Sequence, residues 1–189
     1  MSWIHDAFNN EALRSALLSI RLPLGLLLAA VVACFTDPRW FPWALAVSAT
    51  GTILQLWCFG SIKTRKVLAV RGPYLFVRNP MYLARFLVLF GALLFPGNLW
   101  LAGGFVPIYY LYMVNRVRRE EGRLRKTFGS DYESYCEEVR PFLPTLKRFE
   151  ASQIWFFRWE YFMRNHGPSN LATMILFYAA CWIAAIRSI

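Results

Sequence analysis

Two clusters in this 189-residue chain have residue types and spacings that could recognise a charged ligand. The first is Arg71-Gly72-Pro73-Tyr74-Leu75-Phe76-Val77-Arg78-Asn79-Pro80-Met81-Tyr82, which leads directly into an apolar run. Its prolines, glycine and paired arginines make a poor helix and a poor strand. Irregular backbone beside hydrocarbon needs partners for its polar groups. The stretch is therefore either an interfacial loop with its charge toward the cytoplasm or a site for a polar ligand. The second cluster is Asn115-Arg116-Val117-Arg118-Arg119-Glu120-Glu121-Gly122, followed by Phe128-Gly129-Ser130-Asp131-Tyr132-Glu133-Ser134-Tyr135. Arg116 and Glu120 are four apart, so they share one helix face just after an apolar segment ends. Taken alone, such a pair is a solvated surface contact worth about 0.3–0.5 kcal/mol.

Other chemistries find little support. Cys34, Cys58, Cys136 and Cys181 are scattered without a CxxC, and the histidines are His5 and His166, so no metal site is expected. Three of those cysteines lie in apolar runs and read as small hydrophobes. No GxGxxG follows a strand pattern. The net charge of +10 is confined to segments between apolar runs, which argues for membrane topology and against nucleic acid.

The elements that must position these clusters are apolar helices. Hydrophobic residues make up 57% and aromatics 17% of the chain, above the level usual in soluble domains. Spans are expected at Ala16–Phe35, Trp40–Gly60, Pro80–Phe95, Leu99–Val114 and Asn170–Ile186. Trp40, Trp43 and Trp57 are placed as interface aromatics, and Gln55 as a hydrogen-bonding partner for a neighbouring helix. Arg21 is expected to snorkel from the first span. Pro80 suits the first turn of the third span, and Pro96-Gly97-Asn98 turns it into a helical hairpin with the fourth. Arg85, one turn into that hairpin, either snorkels toward the basic loop or points into the protein. Arg116–Pro144 reads as a polar helix, a break at Gly129 and a short second helix. Residues 153–164 interleave aromatics with arginines, as in a helix lying in the headgroup plane.

Five lysines and arginines fall in 61–79 and eleven in 116–168, against Arg39 and Arg187 on the opposite side. The positive-inside rule then places the N-terminus and both clusters in the cytoplasm. The N-terminal stretch lacks the form of a cleavable signal. The expected protein is an all-α integral membrane protein of about five transmembrane helices, with cytoplasmic loops and a C-terminal amphipathic helix. It forms one domain over 1–189, in which the helices of 151–187 are an addition to the core.

Read in order, the two clusters resemble the isoprenylcysteine carboxyl methyltransferase family and its relatives, the membrane phospholipid methyltransferases. That family has a G-x-Y, then R-H-P-x-Y-x-G, a hydrophobic hairpin, an arginine, two glutamates and F-G-x-x-Y-x-x-Y near a proline. Here these are Gly72-Pro73-Tyr74, Arg78-Asn79-Pro80-Met81-Tyr82-Leu83-Ala84, Arg116, Glu120-Glu121, Phe128 to Tyr135, and Pro141. The resemblance covers residues 60–145. It implies methyl transfer from S-adenosylmethionine to a lipid or prenylated acceptor at the cytoplasmic face. Carried over by position, the cofactor contacts are Lys66, Val67, Leu68, Ala69, Tyr74, Asn79, Pro80, Met81, Tyr82 and Glu120. Arg116 matches the substrate-side arginine. In this assignment Glu120 meets the cofactor amine, and Tyr74 or Tyr82 faces the sulfonium by cation–π attraction. Arg116 orients a carboxylate acceptor by paired hydrogen bonds, and Glu121 is the candidate base if the acceptor is an amine.

Asn79 stands where the family has histidine, and Ala84 where it has glycine. Asparagine retains a donor and an acceptor but cannot titrate. Phospholipid N-methylation and a non-catalytic scaffold are the competing readings; a channel or transporter fits less well because few ionisable residues lie deep in the spans.

Overall fold

The computed structural model describes residues 11–63 and 67–188, with side chains from residue 23 onward. The expectations for residues 1–10, the Arg21 side chain and Lys66 lie outside the described residues. Every regular element within them is helical. The helices are α1 (Glu11–Cys34), α2 (Phe41–Ser61), α3 (Pro80–Leu94), α4 (Leu99–Phe128), α5 (Ser130–Glu138), α6 (Ala151–Ile154), α7 (Trp159–Arg164) and α8 (Gly167–Arg187), with a 3-10 turn at Gly72–Leu75. Among the described residues two helices, α2 and α8, are long and apolar enough to cross a membrane, and Pro23–Cys34 and Pro80–Leu94 are shorter apolar helices.

Helix α2 is the hub, with α3, α7 and α8 packed on it. Its approach to α3 is close: a Cβ on Gly51 would run into the α3 backbone at Val88, and one on Gly91 into Ser48. Ser48 Oγ donates to Val88 O at 3.1 Å, and the Tyr178 hydroxyl lies 2.9 Å from Ser48 Oγ and 2.8 Å from Thr52 Oγ1. These hydroxyls carry polar contacts from α2 to α3 and α8, and among the described residues no hydrogen bond of Gln55 accompanies them. They suit an apolar surrounding because each satisfies a neighbour without bringing charge.

The chain reverses between α3 and α4 at Pro96-Gly97-Asn98. Asn98 Oδ1 caps α4 by accepting from the backbone N–H groups of Trp100 and Leu101 at 3.0 and 3.2 Å. At this end Val32, Phe41, Leu94, Phe95, Ala102 and Cys181 form one core cluster. A second cluster, built on Tyr132, Tyr135 and Val139 and packed by Leu124 and Phe128, lies at the other end of α4. Ala102 and Leu124 are about 33 Å apart along that helix. The expected apolar span and the polar helix after it are therefore one continuous helix of 30 residues, ending at Gly129 with φ 52°. Nothing in the 99–128 sequence stops a helix firmly: its internal Pro107 lies well before the change from apolar to charged residues.

The 153–164 segment departs from the expected single interfacial helix. It forms two short pieces, α6 and α7, with Arg158 extended at φ −118°, ψ 121°. The cause is the C-terminus of α2, whose last carbonyls have no intrahelical donors. Arg158 N donates to Gly60 O at 2.8 Å, and Asn165 Nδ2 donates to Phe59 O and Ile62 O at 2.8 and 2.9 Å. Ser61 Oγ donates back to Phe156 O at 2.9 Å. The Phe157 ring rests on the bare face of Gly60. Capping α2 outweighs the few hydrogen bonds that a continuous third turn would add.

Candidate functional site

The irregular stretch before α3 finds its backbone partners in residues 140–145. Arg78 N donates to Arg140 O at 2.9 Å, Asn79 N to Pro141 O at 3.1 Å, and Thr145 N to Phe76 O at 2.9 Å. Gly72 opens the 3-10 turn at φ +61°, in the left-handed region, where a Cβ would also meet Ser61 Oγ and Trp57 Nε1. The turn buries Tyr74, whose carbonyl accepts from the Tyr135 hydroxyl at 2.7 Å. Burial, reinforced by the neighbouring Cys58 and Tyr135, pushes the Tyr74 phenol well above its ordinary range. Burial also raises Tyr135, against the opposing pull of Arg78 and Arg148. Both phenols therefore stay protonated at neutral pH, and the Tyr135 hydroxyl remains a donor that ties α5 to the turn.

Pro80 begins α3 and is fully buried. Asn79 sits at the N-cap but does not cap. Its Nδ2 instead donates to Glu121 Oε1 at 3.1 Å, and Arg78 Nε lies 3.4 Å from the same oxygen. The Arg78 and Glu121 side chains are 10% and 14% exposed, so this is a largely desolvated ion pair. Successive residues on α4 point about 100° apart. Glu121 thus turns back to Arg78 and Asn79, while Glu120 turns the other way.

Glu120 faces a cavity of about 670 Å³, within the usual size of small-molecule sites. Val67, Leu68, Ala69 and Tyr74 line one side, Asn79, Met81 and Tyr82 the start of α3, and Arg116 and Glu120 the facing stretch of α4. Arg116 and Glu120 form no ion pair with each other; among the described residues the salt bridges are Arg78–Glu121, Arg148–Glu138 and Arg164–Glu160. Arg116 instead interacts with the Tyr82 hydroxyl, with Glu120 close by. The Tyr82 carbonyl accepts from the Tyr109 hydroxyl at 2.7 Å, which fixes the turn that carries the ring.

The sequence-derived site residues therefore divide into groups. Val67, Leu68, Ala69, Tyr74, Asn79, Met81, Tyr82, Arg116 and Glu120 meet on one cavity. Pro80 and Glu121 lie behind its wall, and Lys66 is outside the described residues. The cavity also takes Lys63, Arg78, Arg85, Arg123, Tyr132 and Tyr135. The two tyrosines were legible as an i, i+3 pair, which places both on one face of α5. Arg85 had only its depth in an apolar helix to mark it. A smaller apolar cleft of about 460 Å³, between the start of α2 and the end of α8, carries no titratable side chain. Among the described residues no three histidine, cysteine, aspartate or glutamate side chains group as metal ligands would.

Comparison with known proteins finds similarity over the stretch that carries these residues. Residues 40–131 match the family model described as phospholipid methyltransferase. The chain is similar to the nickel-cobalt-cadmium resistance protein NccN of Alcaligenes xylosoxydans xylosoxydans, at 27% identity over 120 residues. That match covers 62% of this chain and 56% of the relative's length. No solved structure matches significantly. The region that matches this family model contains α2, the irregular stretch, the α3–α4 hairpin and the Arg116–Glu121 turn.

Proposed function

We propose that the protein is a multi-pass membrane methyltransferase that uses S-adenosylmethionine to methylate a lipid or lipidated acceptor at the cytoplasmic face. The observation that carries this reading is the shared cavity: residues from the 67–82 stretch and from the Arg116–Glu120 turn line it together. In this reading α1, α2, α3, the apolar part of α4, and α8 are the spans.

The residues present suit the cofactor. Glu120 is the carboxylate among the lining residues and would hold the cofactor amine. Tyr82 offers an aromatic face for a cation. The Val67–Ala69 backbone and Tyr74 complete an apolar and aromatic wall. When bound, S-adenosylmethionine supplies an electrophilic methyl group on a sulfonium. The protein's own part is positioning, which accounts for much of the acceleration in an in-line displacement. Arg116 would orient the acceptor, and its contact with Tyr82 couples acceptor placement to the cofactor side. Glu121 acts in our reading as a positioning residue rather than a base, because its carboxylate is already engaged by Arg78 and Asn79. Asn79 does the work of a hydrogen-bonded strut there, which requires no titration.

The test is calorimetric binding of S-adenosylmethionine to protein in nanodiscs, followed by tritiated-methyl transfer to prenylcysteine and aminophospholipid acceptors. Micromolar binding with transfer to either acceptor is the expected result. A folded protein that binds no cofactor would turn the reading to a scaffold. The metal resistance in the relative's name is a property of that protein and is not carried over.

A further inference from the structure

Arg85 belongs to none of the motifs that carry the family resemblance, yet it lines the same cavity. It lies in the second turn of α3, an apolar helix, where an unpaired guanidinium is costly and is usually kept for function. Among the described residues no carboxylate pairs with it. Its guanidinium carbon instead stands 6.0 Å from the centre of the Tyr82 ring. Arg116 interacts with the hydroxyl of that same tyrosine. Two guanidinium groups without carboxylate partners among the described residues therefore lie near one aromatic side chain. Arg78 differs, because Glu121 neutralises it.

The charge balance points the same way. Among the described residues, Arg78 apart, four cationic side chains, Lys63, Arg85, Arg116 and Arg123, line the cavity against one carboxylate, Glu120, which the proposed cofactor would engage. The cofactor itself brings net positive charge. A cationic headgroup would enter this field at a cost, whereas an anionic one would repay the desolvation of two arginines.

We infer that Arg85, together with Arg116, makes an anion-selecting acceptor subsite, and that the acceptor presents a carboxylate or phosphate to the cavity rather than a bare amine. Arg85 is the specificity-determining residue of the pair. This inference rests on the methyltransferase reading.

The test uses native mass spectrometry of detergent-solubilised protein with S-adenosylhomocysteine present, reading nucleotide and amphiphile occupancy together. Four probes share a single tail: dodecanoate, methyl dodecanoate, dodecyl phosphate and dodecylamine. The wild type should prefer an anionic probe over both the ester and the amine by about tenfold or more, as expected for a charge-assisted pair. The ratio of dodecanoate to dodecyl phosphate then says which anion fits. Arg85→Gln should reduce the preference to about threefold or less while leaving nucleotide occupancy within about twofold. Arg119→Gln, at an exposed position away from the cavity, should retain it. No anion preference in the wild type, or a preference that survives Arg85→Gln, overturns the inference even if nucleotide binds. Absence of nucleotide binding overturns the methyltransferase reading and this inference with it.

Discussion

Glu120 and Glu121 are adjacent in sequence and should respond oppositely to the same substitution. Glu121 accepts from Asn79 at 3.1 Å and lies 3.4 Å from Arg78, with both charged side chains at most 14% exposed. Removing one partner of a buried pair costs about 3–5 kcal/mol, and the long separation argues for the lower end, about 3 kcal/mol. Glutamine keeps the shape and an acceptor for Asn79, so Glu121→Gln isolates the charge. At about 2–4 °C per kcal/mol for a chain of this size, the unfolding midpoint should fall by about 6–12 °C. Glu120 lines the cavity and joins no ion pair among the described residues. Glu120→Gln should therefore shift the midpoint by no more than about 2 °C. It should instead weaken S-adenosylhomocysteine binding by about 10- to 100-fold, the value of a charged hydrogen bond. Thermal unfolding in detergent and calorimetry of the nucleotide read the two effects separately. If Glu121→Gln leaves the midpoint within 2 °C, or if Glu120→Gln destabilises as strongly, the division of roles on this turn of α4 is wrong.

Four further outcomes test the frame around that pair. Arg116→Ala should lower turnover by more than it lowers nucleotide affinity, because Arg116 serves the acceptor; single-turnover transfer beside calorimetry decides, and a loss mainly of affinity contradicts the assignment. Tyr135→Phe strands the Tyr74 carbonyl and should cost about 1–3 kcal/mol in unfolding measurements. Tyr74 and Tyr135 hold their protons more tightly folded than unfolded, so their contribution is intact below about pH 10, the unfolded phenol value, and declines as pH rises above it. Midpoints measured from pH 8 to 11 should be flat at first and then fall, less steeply in Tyr135→Phe; equal slopes refute the contribution. Gly72→Ala forces a side chain into φ +61° against Ser61 and should cost about 1–3 kcal/mol, read as a lower midpoint.

Much of this protein was legible in its residues because the determining physics is local. Apolar runs of helical length bounded by Pro-Gly-Asn and Asp-Pro turns yield the α2 span and the α3–α4 reversal. Pro80 marks the start of α3, and Gly129 the end of α4, because each has a fixed backbone consequence wherever it occurs. The ordered motif from Gly72 to Tyr135 pointed, before any packing was known, to the kind of family whose model residues 40–131 match. Tertiary structure decided the rest. Helical phase, set by where α4 packs, sends Glu120 into the cavity and Glu121 to Arg78, which a neighbouring pair of identical residues cannot reveal. The unsatisfied carbonyls at the end of α2 break the 153–164 segment into two pieces, although its own periodicity favours one helix. Arg85 reads in sequence as either snorkelling or pointing into the protein, and only the cavity shows it beside Tyr82. In each case the deciding energy comes from groups distant in the chain that satisfy one another's charge or hydrogen-bonding capacity.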